Sequence, residues 1–505
     1  MIGSCRIFLT GLTPLFLAGC ISTAELANET APFEDSMAGF QTVSSRTAMA
    51  TGKRTAWAQS HEQTQALARE VRALVHGNTI SADTAVQVAL LNNKGLQAAY
   101  ADIGIDAAEV WQQMLPENPK ISVGIFGIAA PETILFRALE SMVVTNLQAT
   151  MTKGRRVDIA KTRFEQTQLK AVDETLRLAT ATRRAWIRAV GAFETVHYLK
   201  QGQIAADAAS QLAEKLGESG ALPKAGQARE HAFYAELTGQ LAEARLGAQL
   251  AKEELTRLMG LWGAEVDYYV PDALPQLPKT LRTGSAIESE ALQSRIDLQI
   301  ARLELELAAK TFGLTEATRY VTDIELFAGV EAEQETETEY ELVGGDLEES
   351  RSRKVVVTPQ LEVEFAIPIY DTGKPRLRKA ELAYLRGANL LAEKAVNIRS
   401  EARSAYAGYR GRHEIGLHYK RNVLPLRETI ENESLLTYNG MITNTFELLA
   451  DTRAKIGTLI MSVNGKRDFW LADADLNAAI YGPGPGGGGV SEAAPASVDS
   501  GGSPH

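Results

Sequence analysis

The stretch VTDIELFAGVEAEQETETEYE, residues 321 to 341, changes character at every second residue. Its even positions Ile324, Leu326, Ala328 and Val330 are apolar, the odd ones include Asp323, Glu325 and Glu331, and from 331 to 341 every odd position is a glutamate. Side chains two apart share a face only in an extended strand, so the spacing predicts a strand with one carboxylate-rich face. The return run KVVVTPQLEVEFAIP, residues 354 to 368, repeats the pattern. Val355, Val357, Leu361, Val363, Phe365 and Ile367 fall on one face, and Thr358, Gln360, Glu362 and Glu364 on the other. Pro359, among the apolar positions, is expected at a bulge or a rim.

Two readings compete. In a soluble sheet a carboxylate face is simply wet. Segments of about ten residues, apolar on one side and polar on the other, are also the signature of membrane strands that meet lipid outside and water inside. On that reading Asp323, Glu325, Glu331, Glu333, Glu335, Glu362 and Glu364 line the lumen and bias it toward cations. The first half of the chain offers a weaker hairpin. KISVGIFGI from Lys120 alternates in part, and ALESMVVTNLQATM from Ala138 reads as strand or helix. Four strands cannot close a barrel, and an open edge in lipid costs several kcal/mol per unpaired backbone group, so protomers must associate.

Composition narrows the classes. With 505 residues, 45% hydrophobic and 23% charged, the chain is an ordinary folded protein. A formal charge of −11 argues against nucleic acid as a partner, because no basic stripe is available to displace counterions. No interior run reaches the ~18 consecutive apolar residues of a spanning helix.

The chain is internally duplicated. ALLNNKGLQ from Ala89 matches ALQSRIDLQ from Ala291 at an offset of 202, and ATRRAWIRAVGAFETVHYLK from Ala181 matches EARSAYAGYRGRHEIGLHYK from Glu401 at an offset of 220. The offset grows by 18 where the glutamate-rich stretch lies, so the longer loop belongs to the second hairpin. Each half reads as helix, hairpin, long helix, turn, helix. Between Arg155 and Ala221 there is no proline, and apolar residues recur at three and four spacing, which predicts a helix of about 64 residues and ~95 Å. Its counterpart near 376 to 438 contains Pro425 and is expected to bend or break there. Gly220 and Gly440 end the two rods, Pro223 suits the first turn of the next helix, and Thr443, Asn444 or Thr445 supply a cap after Gly440.

The ends of the chain differ in kind from its interior. MIGSCRIFLTGLTPLFLAGC carries one early cation, Arg6, an apolar core and small residues before Cys20. Leu17, Ala18, Gly19 and Cys20 resemble the bacterial lipoprotein box, which implies removal of residues 1-19 and lipidation of Cys20, with sorting to the outer membrane because no aspartate follows. The alternative is an ordinary cleaved signal with an incidental cysteine. Residues 20-78 form an anchor segment in which HEQTQALAREVRALV reads as one amphipathic helix. The two repeats occupy 79-280 and 281-481, and the Gly, Pro and Ser-rich tail 482-505 lacks the composition of a packed core.

Together the lipobox, the repeat, the short-strand hairpins and the helical hairpins resemble the outer membrane factor family, the TolC-like efflux ducts. ALLNNKGLQAAYADI, PIYDTGKPRLRKAE and GMITNTFELLADTR carry the resemblance most specifically, within residues 80 to 480. It implies a mainly α protomer with a β-barrel portion. Three copies would build a 12-stranded outer membrane barrel continued by a long periplasmic α-helical barrel, docked to a periplasmic adaptor and an inner membrane pump, without cofactor or catalysis. It further implies adaptor contacts near Gly220, Pro223, Gly440 and Thr443, and an acidic constriction on the helix after the second glycine turn. In FELLADTR, Glu447 keeps the first acidic position, Ala450 stands at the second, and Asp451 is displaced by one residue, about 100° around a helix. Asp451 reads equally as a pore acid or as a surface acid paired with Arg453.

Enzyme readings fail on spacing. In HEIGLH the residue four after His413 is Leu417, so His413 and His418 do not share a helix face as a zinc protease requires. GPGPGGGG lacks the lysine and hydroxyl of a phosphate loop. The other surviving reading is a lipid-anchored periplasmic scaffold or adaptor without a pore.

Overall fold

The computed structural model describes residues 23–126, 128, 138–321, 323–343, 346–440 and 445–482. Cys20, Thr443, Asn444 and the tail beyond Gly482 lie outside them. The chain divides into two compact units, one comprising Met1–Ala38, Gly104–Ala160 and Val321–Ile367, the other Gly39–Ile103, Lys161–Tyr320 and Pro368–His505.

The first unit contains one antiparallel sheet of order β1-β2-β3-β4, with β1 Lys120–Phe126, β2 Ala138–Asn146, β3 Ile324–Val343 and β4 Asp346–Phe365. The register sets like against like. Leu326 faces Val363 and Ala328 faces Leu361, while Glu325 faces Glu364. Across β2 the apolar parity continues, Val143 opposite Ala328 and Leu139 opposite Ala332. β3 and β4 run 20 residues each, twice the expected length, whereas β2 pairs with β3 only as far as Glu333. The reason is visible in the residues: beyond Ala332 the even positions Gln334, Thr336 and Thr338 are polar too, so the hairpin continues past its apolar band. Pro359 corrects the sequence reading. It sits opposite Val330 in an unbroken register, with no bulge, on the last strand of the protomer's sheet.

The ambiguous run after Ala138 is both strand and helix. β2 ends at Asn146, whose Oδ1 accepts the Ala149 N–H at 2.7 Å, the geometry of an N-cap, and a helix of 72 residues, Leu147–Glu218, starts there. This helix follows α1 Thr23–Glu34, α2 Phe40–Thr51, α3 His61–Val75, α4 Ala82–Asn92 and α5 Lys94–Met114, and is therefore α6. Helices α1 and α2 were not anticipated; their apolar positions are too sparse to show a period. The expected helix at 61 to 75 is present as α3, opened by a capping box between Ser60 and Gln63.

In the second unit α7 Lys224–Met259 follows α6, then α8 Ile287–Ser294, α9 Ile296–Ala317, α10 Lys374–His418, α11 Leu424–Asn439 and α12 Thr445–Tyr481. Between α10 and α11 the backbone makes a π-turn, Tyr419–Val423, one residue before Leu424 and Pro425. A proline cannot donate to the preceding turn, and widening that turn re-accommodates the ladder, so the expected break takes this form. Alanines and glycines let the rods approach closely. Gly416 of α10 and Gly465 of α12 meet backbone to backbone, where a Cβ on either would lie 3.4 Å from the other's main chain. One core gathers Trp186, Leu255 and Met259 around α4; another gathers Ile398, Tyr409 and Phe469 around α8. In the first, Trp186 Nε1 donates to the Ile80 carbonyl at 2.9 Å; in the second, the Tyr406 hydroxyl donates to the Arg282 carbonyl at 3.3 Å.

Candidate functional site

One side of the sheet is mainly apolar and open to solvent along its edge strands. Ile121, Val123, Ile125, Val357, Leu361, Val363 and Phe365 are each more than half exposed, reaching 75% at Leu361. A monomeric soluble protein rarely shows so large a contiguous patch. The opposite parity holds the anticipated carboxylates. Glu331 and Glu333 are half-buried, Glu335, Glu362 and Glu364 are exposed, and Gln360 Nε2 donates to Glu331 at 2.6 Å. Lys120 Nζ lies 3.8 Å from Glu325, and Asp323 accepts from Asn146 Nδ2 at 3.1 Å just before β3 begins. This face is not uniformly polar. It also carries Phe327 opposite Glu362, the buried Val144 opposite Phe327, and Gly329 opposite Met142. A Cβ at Gly329 would stand 2.3 Å from the Ser141 carbonyl, so the strands there admit no side chain.

At the far ends of the helical hairpins, Gly220 adopts φ 73°, a left-handed conformation that glycine takes without penalty. Pro223 stands at the N-cap of α7, one position earlier than the first turn expected from sequence. Gly440 occupies the C-cap of α11 with an ordinary φ of −78°, its N–H donating to Leu436. Glu447 is exposed in the first turn of α12. Asp451 is half-buried and accepts a hydrogen bond from Ser434 of α11, so its partner is not Arg453. Arg453 instead points to α7. Its NH2 lies 3.4 Å from the Glu230 carboxylate, itself only 3% exposed, and its guanidinium stacks 3.9 Å from the centre of the Phe233 ring. A second tie, Lys455 to Glu431, joins α12 to α11. Nothing local in the sequence announces these pairs, because Glu230 and Arg453 are 223 residues apart.

Further along the rods lies a buried charge network. Arg295, with a side chain 3% exposed, forks onto Asp297 at 3.0 and 2.7 Å and reaches Glu401 at 2.5 Å. Lys394 lies 3.8 Å from the same Asp297. Asp173 of α6 has one oxygen on Arg177 Nε at 2.9 Å and the other without a partner. Burial pushes its carboxyl up to about 6, a rise that the Arg177 charge opposes and the Asp297 charge adds to. Nearby, Glu194 of α6 accepts from Lys466 Nζ at 2.5 Å and from the Leu274 N–H at 3.0 Å, clamping the connecting segment before α8. His413 is buried and its Nε2 bonds the Pro278 carbonyl at 2.8 Å, while His418 bonds Asn422. Both are structural. No described helix is long and apolar enough to cross a membrane.

No protein-family model matches the chain, and no curated protein sequence matches it. Its fold, however, is shared with solved outer membrane proteins. The outer-membrane channel OprN is 17% identical with a TM-score of 0.64, over 79% of this chain and 90% of that one. VceC, an outer membrane protein of Vibrio cholerae, is 16% identical with a TM-score of 0.62, over 79% and 96%. The CmeC outer membrane channel of Campylobacter jejuni is 15% identical with a TM-score of 0.57, over 83% and 86%. At these identities the likeness is one of fold, and it matches the coarse class that the family resemblance implies: a mainly helical chain with the fold of outer membrane channels.

Proposed function

We propose that this chain is the outer membrane channel of a tripartite efflux system, a passive duct that receives its cargo from a periplasmic adaptor and an inner membrane pump. One observation carries the reading: a four-stranded sheet with one predominantly apolar face, more than half exposed along β1 and β4, and with β1 and β4 each paired on one side only. In lipid that face is at home and the open edges are not, since each unpaired backbone group costs several kcal/mol there. Joining copies edge to edge removes the cost. Two copies would give eight strands, a barrel filled by its own side chains. Three give twelve, wide enough for water, and three is also what the family resemblance implies.

In this arrangement Glu325, Glu331, Glu333, Glu335, Glu362 and Glu364, with Asp323 at the strand start, face a wet lumen. Glu447 from three copies forms an acidic ring at the entrance, and Asp451, held by Ser434, supports the wall beside it. The tips around Gly220, Pro223, Gly440 and Thr443 are the adaptor contacts, and Cys20 carries the lipid. Duplication of the protomer is supported by a paired contact: Ile80 and Arg282 are separated by the offset of 202, and the side chains that bond their carbonyls, Trp186 and Tyr406, by the offset of 220. The test is conductance. The purified protein added to a planar bilayer is expected to give cation-preferring channels; insertion without conductance, or a protein that stays in buffer, favours the scaffold reading instead.

A further inference from the structure

The turn that leads from the last strand into α10 has a chemistry of its own. In residues 316–320 and 369–381, five cations, Arg319, Lys374, Arg376, Arg378 and Lys379, stand with three acids, Glu316, Asp371 and Glu381, in a chain whose formal charge is −11. Two of those acids are already used. Asp371 lies 3.7 Å from Arg376, and Glu381 accepts from Arg378 at 2.7 Å. Lys374 and Lys379 are exposed, with no ion-pair partner among the described residues. Beside them are apolar groups open to solvent: Ile369 is 73% exposed, Tyr370 fully exposed and Tyr320 58% exposed.

This turn is fixed in place. Gly373, at φ 70°, packs where a Cβ would lie 2.6 Å from the Arg319 carbonyl. Its N–H donates to Asp371 Oδ1 at 2.8 Å, Arg319 Nε donates to the Thr372 carbonyl at 3.1 Å, and the Arg319 guanidinium covers the Tyr320 ring at 4.8 Å. The exposed aromatic and aliphatic groups are therefore held outward by a hydrogen-bonded frame. Chain length alone sets their depth. Tyr320 precedes β3, and Ile369 follows β4, by four residues, so each lies within about 14 Å of a strand end. The headgroup layer occupies roughly 5–8 Å beyond each side of the hydrocarbon. Tyrosines with lysines and arginines at that level are the composition of a membrane interface.

We propose that Arg319, Tyr320, Ile369, Tyr370, Lys374 and Lys379 form a binding surface for anionic phospholipid headgroups in the leaflet at the helix-bearing end of the barrel. The inference rests on the duct reading, which supplies the membrane. The rings and Ile369 sit among the upper acyl carbons and the two lysines meet lipid phosphates.

The test uses the full chain inserted into vesicles of phosphatidylethanolamine and phosphatidylglycerol at 3:1, with retained lipids counted by native mass spectrometry. The wild type is expected to retain phosphatidylglycerol above its bulk share. K374Q/K379Q, which touches no internal contact, is expected to insert and assemble normally and to lose that preference by about tenfold or more, at roughly fivefold per cation. K215Q/K224Q, remote in the fold, is expected to behave as wild type, and inorganic phosphate is expected not to compete. Equal retention by wild type and K374Q/K379Q overturns the inference while leaving the duct intact. Co-sedimentation with peptidoglycan that K374Q/K379Q abolishes, at an unchanged lipid ratio, also overturns it, assigning the surface to a glycan polymer. Failure of the wild type to insert into either vesicle overturns both.

Discussion

Arg453 of α12 and Glu230 of α7 meet at 3.4 Å, and the guanidinium lies over the Phe233 ring at 3.9 Å while the glutamate is almost wholly buried. The contact ties the hairpin of α11 and α12 to α7 near the end that reads as the entrance. Arg453→Ala leaves a buried carboxylate without its counter-charge, at a cost of about 1–3 kcal/mol once the partial exposure of the arginine is discounted. Two effects are expected together: a lower melting temperature and larger or more frequent channel openings. Arg453→Lys keeps the charge and loses the guanidinium's contact with the Phe233 ring, so it should fall between. An unchanged conductance in Arg453→Ala would show that the tie holds the fold and has no part in the entrance.

Glu447 is exposed in the first turn of α12, where a carboxylate is also favoured by the helix dipole. If three copies bring it to a common ring, Glu447→Ala removes three charges from the narrowest section. Cation preference in planar bilayers should drop and conductance rise. Asp451→Asn, whose side chain is engaged by Ser434, should change conductance much less.

Asp173 gives the rods a defined pH response. Its folded carboxyl is pushed up from 3.8 to about 6, so between those values the folded chain holds a proton that the unfolded chain has released. Stability from this site is therefore greatest at the acid end and declines as pH rises toward 6, by at most about 3 kcal/mol, and is flat above. Asp173→Asn cannot titrate. Subtracting its melting curve series from the wild-type series should leave a slope confined to pH 4–6, with the variant relatively more stable at neutral pH. A difference that does not vary with pH would remove the burial argument.

How much of this was legible in the sequence depends on the range of the interaction. The alternation from Ile324 to Val330 and from Leu361 to Phe365 is local, and it located β3 and β4 and their outward face. The 72-residue helix was legible from Arg155 onward, but its start was hidden because no proline or glycine separates β2 from α6; the only cue is Asn146 as a cap. Pro425 signals a disturbance of the helix, but nothing in the sequence specifies that it takes the form of a widened turn. What could not be read at all is pairing at a distance. Asp451 and Arg453 are two residues apart and invite pairing, yet residues two apart on a helix point in different directions, and each finds its partner on another helix.

The paired contacts of Trp186 and Tyr406 differ in burial, and so should their deletion costs. Trp186→Phe strands the Ile80 carbonyl inside a core and is expected to cost about 1–3 kcal/mol, whereas Tyr406→Phe, at a half-exposed position, should cost about 1 kcal/mol or less. Thermal melts of the two single variants compare them directly. Equal costs would mean that packing and not the hydrogen bond dominates both sites.

The proposed duct requires that copies join through the free edges of β1 and β4. Ser122→Cys on β1, combined in turn with Gln360→Cys, Glu362→Cys and Glu364→Cys on β4, places thiols of the same parity on the two edges; oxidation in membranes then reports whether they adjoin. At least one pair is expected to give a covalent ladder that ends at three chains. Single chains throughout, or a ladder that stops at two or continues past three, would contradict the closed twelve-stranded duct.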